Sequence, residues 1–364
     1  MTLMAGAIGT LIVREAGPVE LLRRLSDPFW FQAFGCVLGF DWHSSGLTTT
    51  VCGAMKEAIR ARDNDLGIVV CGGKGATSRK TPEDIRRACE RSGDPAEALI
   101  HASRLAGKVD SAALQDGYEL YHHCFFFAPG RSTWAVVQQG MNATLRYARR
   151  YHWLSERLPS FVADPHAAIA CDRRGPVLNL VASEAERHRQ ALVALGREHP
   201  DRMLRELRPF LGDVPMPLFE TTRPLASTTA NHLLMPKGHR ISAKQIRAAA
   251  LKKVLIKTYE RQATDFEELL GEPGIGAEAL RSLSLVAELI YEAPASRRDP
   301  AAYSFAHGGK DGTPYPVNRT LYDANLDRLR RAVQEAKLGR TDKVDALRAL
   351  GKFTARLATA NKEE

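Results

Sequence analysis

Four side chains suited to chemistry crowd one short stretch, Asp41-Trp42-His43-Ser44-Ser45-Gly46, backed by a Thr48-Thr49-Thr50 run. A carboxylate, an imidazole, two hydroxyls and a flexible glycine are what a ligand site needs where a strand ends. The same residues also suit a turn whose side chains cap the following helix. A second concentration follows in Lys108-Val109-Asp110-Ser111, Gln115-Asp116-Gly117-Tyr118-Glu119 and Tyr121-His122-His123. Carboxylates and imidazoles at this density are able to bind a cation, although a solvated loop and helix end carry the same types.

The elements that must position these residues are legible in part. The apolar run Phe34-Gly-Cys-Val-Leu-Gly39 reads as a buried strand that would place Asp41 at its C-terminal end. The opening residues to Val13 read as a buried helix that Gly17-Pro18 ends, with the next helix over Val19–Leu25, so the chain is expected to begin inside a helix. Helical patterning continues over 53–62. Leu66-Gly-Ile-Val-Val-Cys71 reads as a strand, and a helix starts at Thr81-Pro82. Pro129-Gly130-Arg131-Ser132 between two apolar runs is a hairpin signature, and alternation sends His122 and His123 to opposite faces. A helix is expected over Arg146–Trp153, and mostly helical, polar text from Asp164 to about Met216, with no site signal.

Basic residues recur beside glycines. Gly72-Gly73-Lys74-Gly75 with Arg79 and Lys80 resembles a phosphate cradle without the spacing of a nucleotide-triphosphate loop. Arg149 and Arg150, interleaved with Tyr147, Tyr151 and Trp153, suit phosphate contact and base stacking, or else an aromatic core stripe with a basic outer face. Phe266–Leu283 sets two helices around Pro273-Gly274-Ile275-Gly276 and resembles the helix-hairpin-helix module. Glycines at Gly274 and Gly276 around Ile275 would expose backbone N–H groups at a helix N-terminus to a phosphate, and Lys253 and Lys257 supply flanking charge. A turn used only for packing would look the same.

With 51 Lys+Arg against 42 Asp+Glu, the formal charge of +9 favours a polyanionic partner. The apolar opening is too short to span a bilayer and has no basic segment ahead of it. The six cysteines (Cys36, Cys52, Cys71, Cys89, Cys124, Cys171) form no Cys-x-x-Cys pair and lie mostly in apolar runs, so reduced, cytoplasmic thiols and no structural zinc are expected. The 364 residues accommodate more than one domain. The expected fold is an α+β or α/β N-terminal domain with a mixed sheet over 1–215, a linker over 216–241, an all-α helix-hairpin-helix domain over 242–325, and an exposed, charged helical tail over 326–364 with a disordered end.

Asp41-Trp42-His43-Ser44-Ser45-Gly46, Gly72-Gly73-Lys74-Gly75, Lys108-Val109-Asp110-Ser111, Gln115-Asp116-Gly117-Tyr118, Val137–Met141 and Phe305–Gly312 occur in one order across nearly the whole chain. Together they resemble the archaeal and bacterial family called domain of unknown function 763. Members usually open with a Leu-Pro-Leu-His-Gly-Gly-like segment that is missing here, as expected of a late start or a truncation. The resemblance implies two domains and a suspected metal-dependent nuclease. On that reading Asp41, Asp110 and Asp116 hold Mg²⁺ or Mn²⁺ with His43 or His122, while Lys74 or Lys108 stabilises charge on a phosphoryl group. The partner is DNA, held by its backbone without sequence preference, and a homodimer is compatible. Alternatives are a non-catalytic DNA-binding or repair factor and a base-excision glycosylase using Asp299.

Overall fold

The computed structural model describes residues 1–40, 46–61, 66–143, 145–171, 173–207, 248–303, 319–335 and 339–360. Its centre is a five-stranded sheet of β1 (Val69–Lys74), β3 (Glu119–Ala128), β4 (Thr133–Asn142), β5 (Tyr147–Leu154) and β6 (Ala168–Cys171), in the order β1-β3-β4-β5-β6. The short strands β2 (Leu114–Gln115) and β7 (Leu178–Asn179) pair separately. Every ladder between these strands is antiparallel, where a mixed sheet was expected. The β3–β4 hairpin forms as expected, with Phe127 opposite Trp134 and a turn in which Gly130 takes φ +70°.

Helices cover both faces of the sheet, which is why its strands carry near-continuous apolar runs rather than a polar side. One face receives α1 (Thr2–Ala16), α2 (Pro18–Ser26), α3 (Pro28–Val37) and α4 (Leu47–Arg60). Ile8, Phe31, Phe34, Val51 and Met55 of these helices pack with Cys124, Phe126, Val137 and Leu154 of the strands. On the other face lie α5 (Thr81–Ser92), α6 (Ala96–Lys108) and α7 (Glu186–Arg197), with α8 (Pro200–Leu207) beyond them. Helices α9 (Ala248–Arg261), α10 (Phe266–Gly271) and α11 (Ala277–Tyr291) join this second core, where Leu255, Leu270, Ile275 and Leu283 meet Phe125, Tyr151 and Trp153.

Several segments differ from the sequence expectation for identifiable reasons. Phe34–Leu38 is not a strand: it lies in and at the end of α3, which Asp27 caps by accepting from the N–H groups of Phe29 (2.8 Å) and Trp30 (3.2 Å). A helix buried on all sides is apolar at every position and loses its period. Gly35 is required there because α4 crosses so closely that an added Cβ would lie 2.5 Å from Leu47. Arg146–Trp153 is strand rather than helix, with Arg149, Tyr151 and Trp153 on one face and Arg150, His152 and Leu154 on the other. From Asp164 the chain first makes β6 and β7, and helix begins only at Glu186. The expected tail forms α12 (Arg319–Glu335) and α13 (Arg340–Ala360), but Leu329, Val333 and Leu350 are buried in the first core instead of lying on an exposed pair. The segment 216–241, Phe305–Gly312 and the last four residues lie outside the described residues, as do Asp41 and His43.

Candidate functional site

The turn between α10 and α11 is built by local rules. Asp265 caps α10 by accepting from the Glu268 N–H at 2.8 Å, and the chain then reverses through Glu272-Pro273-Gly274-Ile275-Gly276. Ile275 is the anchor: it is buried, and its N–H donates to the Glu272 carbonyl at 3.2 Å. Gly274 holds φ +83° and is exposed, while Gly276 caps the fifteen-residue α11.

Two ammonium groups converge on this turn. Lys108, the last residue of α6, donates to the carbonyls of Ile275 (2.6 Å) and Glu272 (3.2 Å). Lys257 of α9 crosses Gly274 so closely that an added Cβ would meet its Nζ at 2.2 Å. Partial burial pushes the Lys108 pKa down, repulsion from Lys257 pushes it further, and Glu272 opposes both. Arg261 sits 3.4 Å from Glu272, and Lys253 is exposed one turn before Lys257. Alongside α6 runs an open groove of about 720 Å³ lined by Ile100, His101, Arg104, Lys108, Ser111 and Gly271, with Glu97 at its edge. Glu278 also stands exposed in the first turn of α11, so the surface is mixed with a basic centre.

Two of the expected catalytic carboxylates, Asp110 and Asp116, lie elsewhere and are committed to internal partners. Helix α6 runs into a π-turn over Val109–Ala113, which carries Asp110 inward. There Asp110 accepts from Gln138 Nε2 (2.5 Å), Trp153 Nε1 (2.9 Å) and His166 Nε2 (2.5 Å). Gln138 Oε1 accepts from His123 Nδ1 at 2.8 Å, so His123 Nε2 accepts from the Ser103 hydroxyl at 2.8 Å. Burial lowers the His123 pKa, leaving a neutral ring inside this chain of hydrogen bonds.

Asp116 accepts from Tyr151 (2.7 Å), Arg149 (2.9 Å) and the Tyr118 N–H (3.0 Å). Arg149 also bridges to Asp299 at 2.8 Å, and its guanidinium stacks 4.6 Å from the Tyr118 ring centroid. Arg149 is therefore not a surface phosphate contact, and Asp299 is not free for glycosylase chemistry. Among the described residues Asp110 and Asp116 do not join a third His, Cys or carboxylate in a metal-sized group. The donor set expected for Mg²⁺ or Mn²⁺ does not fit these two carboxylates, each of whose oxygens already accepts from a protein donor.

The opposite face of the sheet holds the remaining predicted residues. Arg150 is buried and bonds to Gln32 Oε1 (3.1 Å) and His152 Nε2 (2.8 Å), so it too is unavailable to nucleic acid. His122 points to this face, away from Asp110, and its ring lies with the thiols of Cys52 and Cys124. Burial pushes the Cys124 thiol pKa up. Lys74, Arg79 and Lys80 are exposed at the end of β1 and in the short helical turn Gly75–Lys80. The glycine cradle beside them is already filled: the Gly72 N–H donates to Asp84 at 3.2 Å, and its carbonyl accepts from Lys56 at 2.6 Å.

Sequence reasoning missed His166, Trp153, Gln138 and Tyr151 as partners of Asp110 and Asp116. It also missed Cys52 and Cys124 as neighbours of His122. Strand alternation carried a signal for Cys124, two residues from His122 on the same face. No local spacing links Asp110 to His166, 56 residues away.

Residues 1–317 match the family described as protein of unknown function (DUF763). Comparison with curated proteins finds no match, and comparison with solved structures finds none. No helix among the described residues is long and apolar enough to cross a membrane.

Proposed function

We propose that this chain, which belongs to the DUF763 family, is a DNA-binding protein that holds the phosphate backbone, without sequence preference, at the turn between α10 and α11. The observation that carries this reading is the meeting of Lys108 and Lys257 at an exposed turn, where Lys257 lies directly over Gly274. Two like charges held together raise each other's energy, and an anion placed between them relieves that repulsion. A phosphate oxygen is the fitting anion, because α11 begins at this turn and the N-terminus of a helix favours a negative charge.

The groove along α6 carries Arg104 beyond the turn, beside His101, which meets Glu267 at 3.3 Å. Contacts of this kind read phosphate and not bases, so affinity falls with salt and is indifferent to sequence. The reading is one of binding, since Asp110 and Asp116 are enclosed by protein donors. Fluorescence anisotropy with two duplexes of unrelated sequence tests it. Lys257→Ala weakens both equally, and the salt slope drops by about one unit. Equal affinity of Lys257→Ala and wild type for both duplexes contradicts it.

A further inference from the structure

We propose that Cys52, His122 and Cys124 form a binding site for a single thiophilic divalent cation, zinc by preference, on the face of the sheet opposite Asp110. Cys52 comes from α4, and His122 and Cys124 alternate along β3, so the three side chains converge from two packed elements. One ligand atom from each lies within 4.8 Å of the others, and all three residues are buried. Zinc bonds to two sulfurs and one nitrogen would bring these atoms to about 3.5 to 3.8 Å apart. Small side-chain rotations close that difference.

The second observation is His122 itself. It is 2% exposed, and its ring nitrogens make no hydrogen bond to any nitrogen or oxygen; the polar groups beside it are the thiols of Cys124, which interacts with the ring, and Cys52. The other imidazoles on the sheet are paired with nitrogen or oxygen groups, the half-buried His123 with Ser103 and Gln138, and the buried His152 with Arg150 and Leu25. Buried polar groups are rarely left without a nitrogen or oxygen partner, and an imidazole whose only polar neighbours are two thiols has the surroundings of a metal ligand.

The charge balance also suits a buried place. Binding one M²⁺ forms two M–S bonds and one M–N bond and releases the two thiol protons to solvent, leaving a neutral unit in the core. No electron is transferred. Sulfur and imidazole donors select zinc over the hard ions Mg²⁺ and Mn²⁺. Three protein ligands leave the fourth tetrahedral position to a water or to a further ligand. This inference does not rest on the DNA reading, because the cluster and the α10–α11 turn pack in different cores.

The test is the metal content of the full-length protein, purified without chelator from zinc-supplemented cells, measured by plasma mass spectrometry. Cobalt replacement then reports the ligands. The expected result is about one zinc per chain and a cobalt spectrum with thiolate charge-transfer and intense tetrahedral bands. Both should be lost in Cys52→Ser and in Cys124→Ser but kept in Cys89→Ser, a buried cysteine of the other core. Because a variant can lose metal by misfolding, the wild-type stoichiometry and cobalt spectrum decide alone. Wild type with no retained zinc and no tetrahedral cobalt spectrum overturns the inference, as does a Cys52–Cys124 disulfide in the reduced-handled protein.

Discussion

Replacing Arg149 by methionine should destabilise the protein more than any surface charge change. The guanidinium is 1% exposed and lies between two carboxylates, Asp116 at 0% and Asp299 at 6% side-chain exposure. Methionine keeps much of the stem's volume but leaves both carboxylates without their cation. Asp116 retains only Tyr151 and the Tyr118 N–H, and Asp299 the N–H groups of Gly175 and Ala301. Removing one partner from a buried ion pair costs about 3 to 5 kcal/mol, because the remaining charge stays desolvated. Here one removal strands two charges, one of them at the rim where water reaches it, so a loss of about 4 kcal/mol is expected at neutral pH.

The loss should depend on pH. Burial already pushes the Asp116 pKa up, against the pull of Arg149, and without Arg149 it rises further. A native carboxyl with a raised pKa holds its proton where the unfolded chain has released it, so the variant gains relative stability as pH falls toward the ordinary carboxylate range. Urea unfolding followed by tryptophan fluorescence and circular dichroism measures both effects. The gap between wild type and Arg149→Met should be widest near pH 7.5 and narrower near pH 5, and Arg149→Lys should recover little of it, since one ammonium does not replace the fork. A gap below about 1 kcal/mol, or one independent of pH, would refute the buried-triad reasoning.

Three further outcomes are expected. His152 and His188 are buried and His123 is half-buried, and desolvation lowers each pKa. The unfolded chain therefore binds protons that the folded one refuses, and stability is complete above about pH 6.5 and falls below it, by up to about 4 kcal/mol per pH unit for three such rings. Urea midpoints taken from pH 7.5 to 5 check this, and a flat profile contradicts it. Gly72→Ala should cost about 3 kcal/mol, because Gly72 has φ +83° and an added Cβ would lie 2.4 Å from the His123 carbonyl oxygen. Gly53→Ala, on the exposed side of α4 with nothing near its Cβ position, should instead raise stability by about 0.5 to 1 kcal/mol in the same denaturation assay.

What the sequence made legible follows from the range of the forces involved. The β3–β4 hairpin and the opposite facing of His122 and His123 are local consequences of turn chemistry and alternation, and both appear as expected. Helices α1 and α2, divided at Gly17-Pro18, are equally local. The α3 and β5 assignments failed because an element buried on all sides loses the periodicity that distinguishes helix from strand. Arg149 and Arg150 looked like phosphate contacts because their partners are set by tertiary packing: Asp299 lies 150 residues from Arg149, and Gln32 lies 118 residues from Arg150. The same distance hid the enclosure of Asp110 by Trp153 and His166. Lys257 was read as flanking charge for the turn and lies directly over it, whereas Lys108 was assigned to catalysis and instead holds the turn's carbonyls.

The most direct test of the DNA-binding account is amide hydrogen exchange across Gly271–Leu280, with and without a random-sequence duplex at low salt. Phosphate bound at the turn would slow exchange at Gly274, Gly276 and the first residues of α11, and raising the salt would reverse the effect. Duplex binding that leaves this segment's exchange unchanged while protecting another surface would contradict the account.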